Sequence, residues 1–194
     1  MKPTTGLRAH DPFRPDLYRD RLLAVTVEDL QSLGVSGILL DADNTSSYDG
    51  TTEPLPGTAD WIGAMNEAGY PVFLLSNAKE KRALKMAGVY GIPYQSMSKK
   101  PSPKGFRSAA EKLGLSCSDL VMIGDQLHTD VWGGNRSGCR TIYVTPYARE
   151  TRLVFWYPMV RFLEGIVLKL QRAADRWAAR TVERRKHHET HGTE

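Results

Sequence analysis

The chain alternates short apolar runs with longer segments in which apolar residues recur every three or four positions. The apolar runs predict buried strands at residues 37–40, 71–75, 120–124 and 141–144, and a fifth strand at 91–94. Helical spacing predicts helices at about 27–33, 59–68, 79–87, 103–114 and 128–137. Strands that alternate with helices at these intervals indicate an α/β domain built on a mainly parallel, five-stranded sheet.

Helix boundaries carry local signals of their own. Thr26 followed by Asp29 has the pattern of a capping box, and Gly34 is placed to end the same helix. We expect Gly88 to end the charged helix that begins near residue 79.

Polar side chains follow three of the predicted strands at the point where each strand ends. The strand at 37–40 is followed by Asp41, Asp43 and Thr45, and the strand at 71–75 is followed by Ser76 and Asn77. The strand at 120–124 is followed by Asp125 and Asp130. The first of these loops, taken alone, is equally explained by a turn whose side chains bond the local backbone. Polar side chains recur after three strands, and the carboxyl ends of parallel strands meet at one edge of a sheet. We therefore favour a functional site at that edge.

The acids suit phosphoryl transfer assisted by a metal. Asp41 is the candidate nucleophile, since a carboxylate that attacks phosphorus forms an acyl phosphate. Mg²⁺ prefers oxygen ligands, so Asp41, Asp125 and the backbone carbonyl of Asp43 are its candidate ligands. Asp130 is expected to hold a metal-bound water or the ammonium of Lys100, or else to cap the helix that follows it.

The remaining polar residues fit proton transfer and phosphate binding. The Asp43 side chain is the candidate general acid and base. Phosphate oxygens would be bound by the Ser76 hydroxyl, by the backbone N–H of Asn77 and by Lys100, which we prefer to Lys99 because Pro101 follows it. Thr45 is expected at the phosphate site, where it orients a metal-side carboxylate or caps the turn.

The order of these motifs resembles the haloacid dehalogenase (HAD) phosphatase superfamily. The segments LLDADNT, SKKPSPKGF and GDQLHTDVWGGNRSG look like the YqeG branch, HAD class IIIA, whose members include a phosphatidylglycerophosphate phosphatase. The resemblance covers roughly residues 20–147. It implies a three-layer α/β/α Rossmannoid fold without a large cap, Mg²⁺ as cofactor, Asp41 as nucleophile and Asp43 as acid/base.

The ends of the chain differ in composition from its middle. We divide the chain into an N-terminal arm (1–20), a HAD-like catalytic domain (21–147), a C-terminal amphipathic helical segment (148–180) and a disordered tail (181–194). Residues 147–194 hold ten Lys/Arg and six Asp/Glu, a net charge of +4, which is the whole excess of the chain. The C-terminal helix is expected to pack on its own domain or on a partner; an interfacial membrane contact through residues 155–180 is the alternative.

The expected partner is a phosphorylated substrate, with a phospholipid head group among the candidates. No apolar run approaches the length of a membrane span, so we expect a cytoplasmic protein, or one peripheral to the inner face of the membrane. The competing interpretations are a phosphatase of a soluble sugar or nucleotide phosphate, and a regulatory protein that binds a ribosome or nucleic acid through its basic tail. Nucleic acid is disfavoured because clustered carboxylates serve no purpose in such a protein.

Overall fold

The computed structural model describes residues 11–147 and 157–190, apart from some side chains of the last helix. The chain divides into two compact units, Met1–Thr151 and Arg152–Glu194. Half of the predicted N-terminal arm, the start of the predicted C-terminal segment and the last four residues of the predicted tail lie outside the described residues.

The first unit contains a parallel sheet of six strands. The strands are β1 (Leu17–Arg19), β2 (Gly37–Leu40), β3 (Val72–Leu75), β4 (Tyr94–Gln95), β5 (Leu120–Gly124) and β6 (Arg140–Val144). Their order across the sheet is β1-β6-β5-β2-β3-β4, and every neighbouring pair is parallel. The α/β class and the parallel sheet are confirmed, with six strands in place of the five predicted.

Five helices connect the strands of this unit, and a sixth helix forms the described part of the second. They are α1 (Val27–Leu33), α2 (Thr58–Glu67), α3 (Glu80–Tyr90), α4 (Pro103–Leu113), α5 (Trp132–Ser137) and α6 (Tyr157–Thr190). A single π-helical turn at Leu127–Val131 precedes α5. The segment between β2 and α2 contains only isolated bridges, at Ser47 with Asp43 and with Pro54, so no large cap is inserted there.

The sheet separates two apolar cores, as a strand period of two requires. Leu39, Phe73 and Met122 face Phe106 of α4, whereas the alternate strand residues belong to the larger core with α1, α2 and α3. The three central strands are wholly buried, which explains why each appears in the sequence as a continuous apolar run. The result is three layers, helix on sheet on helix.

Besides shifts of one residue and the π-helical turn at the start of the helix predicted at 128–137, four predictions differ from the structure. β1 lies within the predicted arm, because its backbone pairs with the open edge of β6. α3 passes through Gly88 and ends at Gly91, whose φ of +64° fits a left-handed cap. The strand predicted at 91–94 begins beyond Pro93, which has no N–H to donate.

The fourth difference concerns the C-terminal segment. α6 extends to Thr190, ten residues into the tail that was predicted to be disordered. Six large apolar residues of α6 are exposed, at 40–71% of their surface: Met159, Phe162, Leu163, Ile166, Leu170 and Trp177. Within the described residues, no helix is long and apolar enough to cross a bilayer.

The capping box that starts α1 gives a direct test of the boundary signals. The Asp29 N–H donates to Thr26 Oγ1 at 3.4 Å, and the Thr26 N–H donates to Asp29 Oδ2 at 3.2 Å. We expect Thr26→Ala to lower the free energy of unfolding by about 1 kcal/mol, because it leaves an N–H of the first turn without its acceptor. Urea unfolding would measure the loss, and Thr26→Ser is the matched control that keeps the oxygen. Equal losses in the two variants would contradict this role.

Candidate active site

The candidate site lies where β2, β3 and β5 end side by side. Asp41 follows β2 directly and is 6% exposed, and its N–H donates to the Ile123 carbonyl of β5 at 2.9 Å. Asp125 follows β5 and is completely buried. The parallel pairing of β2 with β5 therefore brings the ends of these two strands, and with them Asp41 and Asp125, together.

Three carboxylates converge at this edge. Asp41, Asp125 and Asp130 each present an oxygen, and these atoms all lie within 4.8 Å of one another. The donor set is entirely oxygen and entirely buried, which is the chemistry that Mg²⁺ selects. The structure thus brings together three of the four acids predicted from sequence.

Lys100 supplies the cation of this cluster. Its Nζ lies 2.5 Å from Asp41 Oδ1 and 2.7 Å from Asp130 Oδ1, and the residue is 6% exposed, whereas Lys99 is exposed. Three ionised carboxylates and one ammonium sum to a charge of −2 in the protein interior. A single divalent cation would balance that charge, so the residues fit the metal that the family implies.

The loop that carries Lys100 is held by Asn77. The Asn77 side chain donates to the Lys100 carbonyl at 3.1 Å and accepts from the Lys100 N–H at 2.8 Å and from the Ser98 hydroxyl at 2.9 Å. This amide therefore fixes the position of the lysine backbone, a role the sequence did not indicate. These bonds involve only the side chain of Asn77, so the predicted phosphate contact through its backbone N–H stays a prediction.

Asp130 has one of its predicted roles, the contact with the Lys100 ammonium, and it does not cap α5, which has no side-chain cap. It pairs with Lys100, and its Oδ2 accepts the Gln126 N–H at 3.1 Å, which ties it to the start of the π-helical turn. A methyl group on Gly124 would overlap the Asp130 carboxylate. The glycine before Asp125 is thus required for Asp130 to approach the sheet.

Burial controls the protonation of the cluster. It raises the pKa of the Asp41 carboxyl to about 7, against the lowering effect of Lys100, and the charges of Asp130 and Asp43 raise it further. Burial also acts to lower the pKa of the Lys100 ammonium, but Asp130 and Asp41 outweigh it, so that this pKa lies above its usual value. Lys100 is therefore a fixed positive charge.

The Asp43 carboxylate faces a different partner. Arg82, in the first turn of α3, lies 2.5 Å from Asp43 Oδ1 through Nη1 and 2.7 Å from Oδ2 through Nη2. The Gly50 N–H also donates to Oδ1, at 2.9 Å. The Asp43 side chain, which was expected to converge with Asp41 and Asp125, is therefore not among the three carboxylates that do so, because Arg82 binds it.

Two predicted phosphate-site hydroxyls are buried at the same edge. The Thr45 hydroxyl donates to Asp125 Oδ1 at 3.5 Å, which is the orienting contact considered from sequence. Ser76 is 1% exposed, and its Oγ accepts the Ala78 N–H at 3.1 Å. Both residues stand beside the acids, on the loops that follow β2 and β3.

Sequence reasoning did not predict the contact of Arg82 with Asp43, or the contact of Ser46 with the backbone of Asp41. Arg82 is one of several cations in a helix that the sequence indicates only as a charged surface, so nothing distinguishes it from Lys81 or Lys85. Ser46 is completely buried, and its hydroxyl donates to the Asp41 carbonyl at 2.8 Å. Its position two residues before a tyrosine in a polar stretch gave no signal of this contact.

A cavity of about 420 Å³ borders the catalytic loop through Asn44 and Thr45. Its wall is completed by residues 20–23, 55, 56, 58 and 145–147, and it includes none of the aspartates predicted for the site, at 41, 43, 125 and 130. The converging acids and this cavity are therefore separate features of the same loop.

The raised pKa of Asp41 predicts a pH dependence of stability in the presence of a chelator. The folded protein binds a proton at Asp41 that the unfolded chain releases near pH 4, so this group's contribution to stability is lost as pH rises towards 7. We expect the melting temperature of the wild type to fall relative to that of Asp41→Asn as pH rises, because the Asn side chain does not ionise. The difference between the two melting temperatures should grow by about 2 °C or more between pH 5 and pH 8.

Differential scanning fluorimetry in chelator would measure this increment. Asp60→Asn, at an exposed position of α2, is the control and should show a constant increment. A pH-independent difference for Asp41→Asn would refute the assigned pKa shift.

Comparison with known proteins agrees with this geometry. The family model of the haloacid dehalogenase-like hydrolases matches residues 10–138. The chain is 33% identical over 175 residues to "Probable phosphatase YqeG" of Bacillus subtilis (strain 168), which covers 90% of this chain and 94% of the relative. It is 29% identical over 126 residues to "Phosphatidylglycerophosphate phosphatase 1, chloroplastic" of Chlamydomonas reinhardtii, covering 60% of this chain and 47% of that protein.

Solved structures show the same fold. An uncharacterized protein from Listeria monocytogenes serotype 4b superposes with a TM-score of 0.50 at 16% identity, over 71% of this chain and 99% of its own. The predicted fold and the resemblance to the YqeG branch are both confirmed. The chain belongs to the haloacid dehalogenase-like hydrolases.

Proposed function

We propose that the chain is a Mg²⁺-dependent phosphomonoester hydrolase that works through a phosphoaspartate on Asp41. The observation that carries the proposal is the position of Asp41, in a buried cluster with two further carboxylates and the ammonium of Lys100. A carboxylate held in this way is oriented for attack and has a cation beside it to offset the charge of the phosphate.

The reaction proceeds in two displacements. Asp41 forms a bond to phosphorus while the bond to the ester oxygen breaks, and Asp43 gives a proton to that leaving oxygen. A water then attacks phosphorus and loses a proton to Asp43, the bond between phosphorus and Asp41 breaks, and inorganic phosphate departs. Both aspartates end in their starting states.

The remaining residues hold the phosphoryl group and the metal. Lys100, the Ser76 hydroxyl and the backbone N–H of Asn77 bind phosphate oxygens, with Thr45 at the side of Asp125. Asp41, Asp125 and the carbonyl of Asp43 would hold the metal, and Asp130 would stand beside it while it pairs with Lys100. When bound, Mg²⁺ neutralises negative charge between the nucleophile and the phosphate.

Hydrolysis of p-nitrophenyl phosphate in Mg²⁺ tests the reaction. We expect Asp41→Asn to lower kcat by about a thousandfold or more, because the amide cannot form the acyl phosphate. Chelation should abolish wild-type turnover, and readdition of Mg²⁺ should restore it.

Asp60→Asn is the control for this experiment, since that carboxylate is exposed on α2 and is not one of the three that converge. Equal inactivity of the wild type and Asp41→Asn across a broad panel of phosphate esters would defeat the proposal and favour a binding protein.

For the substrate we propose a phospholipid phosphate such as phosphatidylglycerophosphate. The support is twofold: a relative carries that activity in its name, and α6 has the pattern of an interfacial helix. Apolar residues at 159, 163, 166, 170 and 177 form an exposed stripe, and cations at 169, 172, 176 and 180 follow one flank of it. Such a helix binds anionic lipid through both features.

Vesicle co-sedimentation tests the lipid contact. We expect binding to phosphatidylcholine vesicles only when phosphatidylglycerol is included, and about tenfold weaker binding by the double variant Ile166→Glu, Leu170→Glu, which loses apolar burial. Leu84→Glu, at a residue of α3 that is 54% exposed, is the matched control. Activity on soluble phosphates with no vesicle binding would instead favour a soluble phosphate ester.

A further inference from the structure

The salt bridge between Arg82 and Asp43 occupies the group that must move the proton. Both carboxylate oxygens of Asp43 are engaged, Oδ1 by Arg82 Nη1 and the Gly50 N–H, and Oδ2 by Arg82 Nη2. Under the proposed function, on which this inference rests, Asp43 must contact the leaving oxygen. At least one of these contacts therefore has to be exchanged when the substrate binds.

Arg82 is placed to make that exchange. Its side chain retains 21% of its exposure, so an incoming group can reach it from solvent, and it also lies 3.5 Å from the Thr51 carbonyl on the loop after β2. Because Arg82 contacts the residue that serves the leaving oxygen, it stands on the side of the leaving alcohol. Lys100, by contrast, is enclosed between Asp41 and Asp130 on the side of the nucleophile.

The charges at the site favour the same movement. The four aspartates with Lys100 and Arg82 sum to −2, and one divalent cation brings the total to zero. Asp43 carries a proton when it acts as the acid, so the total at that stage is +1, and the freed guanidinium is the cation that pairs with the second anion of the substrate. Guanidinium binds a phosphate as readily as a carboxylate, through the same pair of parallel hydrogen bonds, so one partner can replace the other.

We propose that Arg82 determines specificity for phosphomonoesters whose leaving alcohol carries a second phosphate or phosphodiester. The second anion takes the guanidinium from Asp43, and the released carboxylate gains from the solvent the proton that it donates in the proposed reaction and turns to the leaving oxygen. Recognition of the alcohol is thereby coupled to positioning of the acid/base. The exchange breaks one ion pair and forms another, and the only covalent change is the O–H bond that forms on Asp43.

Two soluble probes that differ only in the second anion test this role. Propane-1,3-diyl bisphosphate carries it, and propyl phosphate lacks it. We expect the wild type to favour the bisphosphate in kcat/KM by about tenfold or more. In Arg82→Ala that ratio should fall to within about twofold of unity through a raised KM for the bisphosphate, and Arg82→Lys should recover part of it.

Lys81→Ala is the matched control, because Lys81 is an exposed cation on the same turn of α3 and should leave the ratio unchanged. An Arg82→Ala variant that loses the same factor on both probes, so that the preference persists, would overturn the proposal and leave Arg82 a purely structural role. A wild type with no preference would overturn it as well.

Binding to catalytically inactive protein separates this inference from the proposed function. Calorimetry on Asp41→Asn should give a Kd for the bisphosphate about tenfold below that for propyl phosphate, and the added Arg82→Ala substitution should remove the difference. Tighter binding that depends on Arg82, in a wild type without turnover, would refute the hydrolase and keep the anion site. Equal Kd values, in a wild type that hydrolyses both probes, would refute the anion site and keep the hydrolase.

Discussion

The contact of Lys100 with Asp41 and Asp130 is the interaction on which the site depends. Three carboxylates with little or no solvent exposure repel one another, and each loses the hydration it has in water. The Lys100 ammonium between Asp41 and Asp130 offsets part of that cost and favours the ionised form of the Asp41 carboxyl. The fold tolerates the remainder because the same surplus of negative charge is what a divalent cation binds.

Much of the surrounding structure serves to hold that lysine in place. Asn77 bonds both the N–H and the carbonyl of Lys100, and Gly124 leaves the space that Asp130 fills. These are contacts between loops that follow different strands, so they require the strands to be in register. The regular parallel pairing of β2 with β3 and β5 is therefore a condition for the chemistry and not only for stability.

The sequence predicted the central strands and most helices well, because a parallel sheet covered on both faces produces continuous apolar runs and capped helices produce local signals. It also predicted that acids from different strand ends meet at one edge, which holds for Asp41, Asp125 and Asp130 but not for the Asp43 side chain, which was expected among them. It failed for β1, whose three residues are ordered by the edge of β6, and for Arg82, whose partner is 39 residues away. In both cases the partner lies far away in the sequence.

The position of β2 at the centre of the sheet has a consequence for biosynthesis. One of its neighbours, β3, follows within about 30 residues, but the other, β5, is translated about 80 residues later. During translation the emerging chain holds Asp41 on a strand with one open side, and Asp125 and Asp130 are still unmade. The three carboxylates of the cluster can therefore meet only after β5 and the turn that follows it have been synthesised.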